Sequence, residues 1–451
     1  MPRGARLPRA EHQRRPLTFD VLLTLGTKVG ILLLNVGGTI IVARTLGPSG
    51  RGAIAVAFSF TLLLIQFGIL GLQSSNAYFA SRDPSQISRI LSNALWTAVG
   101  IGLLLALAGL GVRVLLPASL RGLDTLEVAV VLVGIPAALA NQLLQGILLA
   151  EGRMVAYNGV ELAMGVLTFS GLAVGLLAFS FGVLGAILVL VTVNLAGTIA
   201  FLLALRHHRP MLRRLDTALL QAMLRYGGRI YVAALLAYLV GRVNLLLVNS
   251  YRGGVAAGEF SISVALAETI HLLPTVVALN LFPRVARGDA SGDTGAVFRS
   301  LTLVYACLCA ATIPVAGPAI RLLYGHSFSE AATIYYWMLP GIFSYGMVSV
   351  LAYHFAGRGF PFEALAVWIP GLVLNFAIAF PLLSRHASVN YAAFAASVSY
   401  TLVLALHMAL FARESGGYAA LIPRPRETIN LVAEMLRGLR GSRSADPAQV
   451  S

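Results

Sequence analysis

Apolar residues run along the chain in windows of about twenty, long enough to cross roughly 30 Å of hydrocarbon as helices. The windows fall near residues 19–43, 53–80, 87–116, 125–150, 154–179 and 182–205, and again near 226–249, 256–283, 297–324, 331–356, 361–383 and 389–411. This pattern predicts an all-α polytopic membrane protein with about 12 transmembrane helices. The fifth and sixth windows are separated only by "SFG", whereas the most basic connection, "RHHRPMLRRLDTALLQAMLRYG", divides six windows from six. The expected organisation is an N-terminal six-helix bundle (1–205), a basic cytoplasmic linker (206–225), a C-terminal six-helix bundle (226–411) and a basic cytoplasmic tail (412–451). The linker has a second reading as an amphipathic segment on the membrane surface. A weak repeat supports two halves of like topology: "LGPSGRGAIAVAFS" follows the first window and "RGGVAAGEFSISVA" the seventh. Gly47 and Gly52 share their spacing with Gly253 and Gly258.

Composition narrows the class. A 58% hydrophobic chain with 11% charged residues lacks the roughly 25% charge that a solvated surface carries. The formal charge of +15 would suggest nucleic acid in a soluble protein, but the arginines sort by membrane side. Arg82, Arg89, Arg153, Arg206, Arg209, Arg213, Arg214, Arg284, Arg287 and Arg358, with the arginines of both termini, fall on one side. Only Arg44, Arg51, Arg113, Arg121, Arg252, Arg321 and Arg385 fall on the other. By the positive-inside rule both termini are cytoplasmic, and no nucleic-acid partner is expected. The first apolar window is full length and lacks a small-residue cleavage site, so it reads as a retained span. Cys307 and Cys309 lie two apart on different helical faces, poorly placed for a disulfide or a metal. Neither a Walker A loop, an HExxH zinc motif nor a GxSxG nucleophile turn occurs. The expectation is therefore no enzyme, no catalytic residues, no metal site and no cofactor.

Candidate chemistry lies in the polar residues inside the windows, because a charge in hydrocarbon costs at least about 2.5 kcal/mol and such residues face a cavity or a partner. Thr24, Lys28, Asn35 and Thr39 share one face of the first helix. Ser59, Gln66 and Gln73 repeat every seven residues in the second; Asn158, Glu161 and Thr168 form a stripe in the fifth. Tyr231, Tyr238, Arg242 and Asn249 do so in the seventh, and Glu268, His271 and Thr275 in the eighth. Several such stripes imply a water-accessible interior between two bundles, with Lys28 and Arg242 as cations and Glu161 and Glu268 as anions. Lys28 is the one lysine of the chain and has two readings: it lines the cavity, or its long stem snorkels toward the cytoplasmic face. Gly26 and Gly30 around it form a small-xxx-small pair that would admit a neighbouring helix.

Two stretches carry a family resemblance. "IIVARTLGPSGRGAIAVA" followed by "GLQSSNAYFASRDP", echoed by "GRVNLLLVNSYRGGVAAGEFSISVALAETIHLLPTVVALNLFPRVAR", resembles the polysaccharide or O-antigen flippases of the MOP superfamily, which also holds MATE exporters and lipid II flippases. The resemblance implies two pseudo-symmetric six-helix bundles forming a V-shaped central cavity that works by alternating access in the cytoplasmic membrane. It implies an undecaprenyl-diphosphate-linked oligosaccharide as substrate, with membrane lipids and other polysaccharide-assembly proteins as partners. Carried onto this chain, the resemblance implies only that Lys28 and Arg242 would hold the diphosphate; the polar stripes themselves add Asn35, Gln66 and Tyr238 as expected further substrate contacts. Glu161, Glu268 and His271 would serve a coupling ion, H+ or Na+. Family members often carry an acidic residue where this chain has Asn244, so a local partner for Arg242 is in question. A MATE-like drug or cation antiporter and a lipid II flippase are the alternatives; the latter commonly has two more spans.

Overall fold

The computed structural model describes residues 17–208, 215–286, 290–358, 362–385 and 388–423. The basic amino-terminal segment, the central arginines Arg209, Arg213 and Arg214, and the tail from residue 424 lie outside the described residues.

Two helices set the architecture. Helix α1 runs Leu17–Ile69 and α7 runs Thr217–Ala286, 53 and 70 residues. At 1.5 Å per residue either would exceed roughly 75 Å if straight, far more than a bilayer needs. Each instead turns back at a glycine: Gly47 (φ 66°, ψ −173°) and Gly253 (φ 82°, ψ −176°). This backbone region is essentially closed to residues with a Cβ, and Pro48 behind Gly47 further disfavours continued helix. The outgoing leg of α1 meets helix α5 (Met154–Ala173) at Tyr157 and Glu161. The returning leg packs Phe60 against Gly109 of helix α3 (Ile87–Leu115). Helix α2 (Leu72–Arg82) continues that leg after a break at Leu70 and Gly71, both left-handed. The remaining first-half helices are α4 (Thr125–Ala150) and α6 (Val183–Ala204). The second half adds α8 (Ala290–Tyr324), α9 (Glu330–Gly357), the short α10 (Phe362–Ala366), α11 (Trp368–Arg385) and α12 (Asn390–Ser415).

Ten of these elements are long and apolar enough to cross a membrane. With α1 and α7 each counted as two legs, the described residues provide the twelve passages that the hydropathy pattern predicts. The division at "SFG" is real, since α5 ends in a wide turn over Val174–Ala178 and α6 begins at Val183. The linker is shorter than expected: residues 217–225 already belong to α7.

One apolar core joins Val56, Phe60 and Leu64 to Val248, Phe260 and Tyr335 across the halves; a second, around Ile90, Leu139, Leu143 and Phe201, fills the first half. The halves meet at both ends. At the glycine-turn end a Cβ on Gly52 would overlap the Gly254 carbonyl, and one on Gly258 the Pro48 carbonyl. There Asn249 Nδ2 donates to the carbonyls of Ser119 and Arg121, each at 3.0 Å. At the other end Gly71 and Gly227 pack backbone to backbone. Ser75 Oγ donates to the Met223 carbonyl (2.7 Å), Tyr231 OH to the Phe67 carbonyl (3.0 Å), and the Tyr78 and Tyr226 rings stack at 4.1 Å.

Two expectations are corrected. A Cβ added to Gly26 would meet nothing described within 4 Å and one on Gly30 only Leu162, at 3.7 Å; the tight approach on the outgoing leg of α1 is at Gly37, where a Cβ would sit 2.8 Å from the Phe169 ring. The Ser59, Gln66, Gln73 stripe is interrupted by the left-handed Leu70–Gly71 pair, which rotates Gln73 onto a separate helix.

Candidate functional site: two polar cavities

Among the described residues, Lys28 and Glu161 line one cavity and Arg242, Glu268 and His271 a second, one in each half. The first, about 400 Å³, lies between the two legs of α1 and helices α4, α5 and α6. Tyr157 and Glu161 are four apart on α5, hence on one face, and both meet Lys28, whose Nζ is 3.3 Å from Tyr157 OH and 3.3 Å from Glu161 Oε2. Gln145 Nε2 donates to Glu161 Oε1 (2.8 Å), and Gln73 Nε2 to Gln142 Oε1 (3.3 Å). Behind them Asn141 Nδ2 donates to Asn194 Oδ1 (3.1 Å) and Thr198 Oγ1 to Asn141 Oδ1 (3.2 Å). The wall therefore presents amides, a phenol and one ion pair. The Lys28 ammonium turns sideways to α5 and lines this cavity, with 44% of the side chain still accessible.

The second cavity, about 300 Å³, is enclosed by both legs of α7 with α9 and α12. The turn at Gly253 brings Arg242 and Glu268 face to face, and Arg242 Nη2 donates to Glu268 Oε1 at 2.5 Å. The guanidinium also lies 5.8 Å from the centroid of Tyr238, within cation–π reach. Tyr345 stacks on His271 at 4.3 Å and leans on Tyr400 at 4.6 Å. His271 is engaged on both nitrogens, with Ser349 Oγ (3.1 Å) at Nε2 and Thr275 Oγ1 (3.2 Å) at Nδ1. Among the described residues Tyr238 OH is buried with no hydrogen-bond partner, an arrangement with an unmet polar demand. A Cβ on Gly241 would come 2.9 Å from Tyr400 OH, so this position keeps the tyrosine in place.

Of the residues picked out from the sequence, Lys28 and Glu161 converge in the first cavity, and Tyr238, Arg242, Glu268 and His271 in the second. Asn35 is exposed and Gln66 half-buried, and neither lines these two cavities. Asn244 takes a different role: it exchanges reciprocal 3.1 Å hydrogen bonds with Asn375 in the core, and the acid that answers Arg242 is Glu268. The ends of the α7 stripe, Tyr231 and Asn249, tie the halves together. Tyr157, Gln142, Gln145, Tyr345 and Tyr400 were not anticipated. The spacing of Tyr157 to Glu161 offered a signal; the two distant tyrosines offered none.

A multi-pass membrane protein with twelve passages and two ion-paired cavities is thus defined by the chain itself. Residues 41–333 match the model of a family described as polysaccharide biosynthesis proteins, and the chain belongs to that family. No curated protein matches it. Among solved structures it is similar to a lipid II flippase MurJ in an inward closed conformation, at 12% identity over 96% of this chain and 94% of that one, TM-score 0.68. It is also similar to an inward-facing multidrug resistance MATE family transporter of the MOP superfamily, at 14% identity over 88% of this chain and 98% of that one, TM-score 0.66. A MOP superfamily transporter from Pyrococcus furiosus, whose binding pocket is described as of reverse polarity, aligns at 14% identity over 89% and 94%, TM-score 0.58. At these identities the likeness establishes the fold, that of MOP superfamily transporters.

Proposed function

We propose that this protein is a flippase that moves an undecaprenyl-diphosphate-linked oligosaccharide from the cytoplasmic to the outer leaflet of the cytoplasmic membrane, its termini cytoplasmic and its two ends opening alternately. The observation that carries this reading is a cation held inside each membrane-embedded cavity, Lys28 and Arg242, in a chain of a polysaccharide biosynthesis family. A diphosphate crossing roughly 30 Å of hydrocarbon needs cations at depth, and ammonium and guanidinium groups give its oxygens charge-assisted hydrogen bonds. Both cations already hold a carboxylate, so a diphosphate enters by exchange, replacing Glu161 or Glu268 as partner. The displaced carboxylate then takes up a proton or a sodium ion, which ties the driving ion to the substrate. The amides around Lys28 and the tyrosines around Arg242 suit the hydroxyl-rich, partly apolar faces of sugars. The cycle makes and breaks no covalent bond.

The test is reconstitution in vesicles with a fluorescent prenyl-diphosphate oligosaccharide, followed by an outer-leaflet accessibility assay. Movement of labelled lipid above that of empty vesicles is expected. One observation favours a second reading, export of organic cations: the Glu268 side chain is 55% accessible against 24% for Arg242, so the acid is the more open of the pair. Vesicles that expel a cationic dye while leaving the lipid-linked sugar in place would establish that reading instead.

A further inference from the structure

Outside both cavities, Glu151 forms a cluster with two histidines that transport does not use. Glu151 caps the end of α4, in a tight turn completed by Gly152 (φ 68°) that leads into α5. His207 and His208 follow directly on the end of α6. His207 Nε2 lies 3.3 Å from Glu151 Oε1, His208 Nε2 contacts the same oxygen, and the two rings lie 4.2 Å apart at 48°. The ligand-capable atoms of all three residues fall within 4.8 Å of one another. Among the described residues the other oxygen of Glu151 is buried with no hydrogen-bond donor, the Arg153 guanidinium standing 3.6 Å away. Arg153 in turn holds the Ala204 carbonyl, so the turn that carries the carboxylate is fastened to the helix end that carries the histidines.

We propose that Glu151, His207 and His208 form a binding site for a borderline transition-metal ion of the Zn²⁺ type. Two imidazole nitrogens converging on one carboxylate match the His₂–carboxylate donor set of such ions, whose ligand bonds of about 2.0–2.2 Å fit inside the cluster after small side-chain rotations. Hard ions such as Mg²⁺ favour all-oxygen sites and fit poorly. Three protein ligands leave a coordination position open, so the ion exchanges rather than being locked in. Arg153 acts beside the ligands, fixing the carboxylate as outer partners of metal sites do. Bound metal would clasp the α4–α5 turn to the segment through which the chain leaves its first six passages, just before the connection to α7. The site runs against the expectation from sequence motifs, because its ligands are separated by more than fifty residues and form no recognised spacing.

The experiment uses the full chain in detergent, with any affinity tag removed and trace metal stripped by chelator, titrated with Zn²⁺ by calorimetry and followed by thermal unfolding. One equivalent of Zn²⁺ bound, a raised unfolding temperature and no response to Mg²⁺ are expected. His207→Ala combined with His208→Ala, and separately Glu151→Gln, should each weaken Zn²⁺ binding at least about tenfold, a loss of roughly 1.4 kcal/mol. The histidine pair is partly exposed, so its double variant reads out binding even if Glu151→Gln fails to fold. Absence of saturable Zn²⁺ binding by the parent, or unchanged affinity in the double variant, overturns the proposal, whatever the outcome of the transport assay.

Discussion

At the scale of single residues the central fact is that the two cations facing the cavities each have their own acid. Lys28 rests on Glu161 and Tyr157, Arg242 on Glu268 and Tyr238. A charge-assisted hydrogen bond is worth about 1.5–3 kcal/mol, so Lys28→Ala and Arg242→Ala should each lower initial flipping rates by roughly 10- to 100-fold. Lys28→Arg should keep much of the rate, and Arg242→Lys less, because the fork geometry toward Glu268 is lost. If the double alanine variant moves lipid-linked sugar as fast as the parent at equal reconstitution, neither cation binds the diphosphate. Tyr238→Phe is a finer probe: its buried hydroxyl makes no hydrogen bond among the described residues, so its removal should leave stability unchanged and reduce transport only if that hydroxyl meets substrate. The sequence made the cations legible, since a lone lysine and a mid-helix arginine stand out against apolar neighbours. Their partners were harder to see. Glu161 lies 133 positions from Lys28, and only the return of the chain through four further helices brings the two together.

At the scale of elements the glycines decide the course of the chain. The matched spacing marked Gly47 and Gly253 as equivalent positions, and at each the backbone leaves the helix with positive φ. The break at Leu70–Gly71 was not, because hydropathy runs through "GILGLQ" without a polar signal. Gly52 and Gly258 interlock with the opposite backbone, so Gly52→Ala should force the paired turns apart. Overpacking of this kind costs about 1–3 kcal/mol and should appear as a lower unfolding temperature in detergent, whereas Gly26→Ala, facing open space, should leave it unchanged. At the other end of α7, Asp216 caps the helix: its carboxylate accepts from the Leu219 backbone N–H (3.0 Å) and from Arg89 (3.1 Å), while Asn93 exchanges two hydrogen bonds with its backbone. The Leu219 N–H, and after it Arg89, hold this carboxyl below its ordinary value of 3.8. The unfolded chain therefore binds more protons across that interval, and the stabilisation is full above the ordinary value and fades as pH falls through the folded one. Asp216→Ala should lower the unfolding temperature at neutral pH, with the gap to the parent narrowing as pH falls below the ordinary carboxyl value of 3.8. A gap independent of pH would mean that the carboxylate charge contributes nothing.

For the whole molecule, the question is what the contacts at both ends permit. The halves share an apolar core, and they touch at the glycine turns and again where α2 meets the start of α7. Bulky charged substrates cannot pass while both seams are closed, and small residues with backbone contacts let each seam part without leaving a buried charge behind. Alternating access then requires that each seam open in turn. A Cβ on Gly254 would lie 3.5 Å from Ser49 Oγ and 4.0 Å from its Cα, within reach of disulfide geometry, so Ser49→Cys with Gly254→Cys should cross-link the glycine-turn seam. Tyr78→Cys with Tyr226→Cys, whose parent rings stack at 4.1 Å, should be bridged at the opposite seam by a short bis-methanethiosulfonate, each thiolate displacing a sulfinate to form a reducible disulfide. Both pairs belong in a background with Cys307, which is exposed, and Cys309 replaced by serine and alanine. Each cross-link alone should stop net movement of labelled lipid, and cleavage of the bridge should restore it. A protein that keeps turning over with one seam covalently shut would show that this seam is a fixed structural joint, leaving the opposite end or a lateral opening between helices as the path of the substrate.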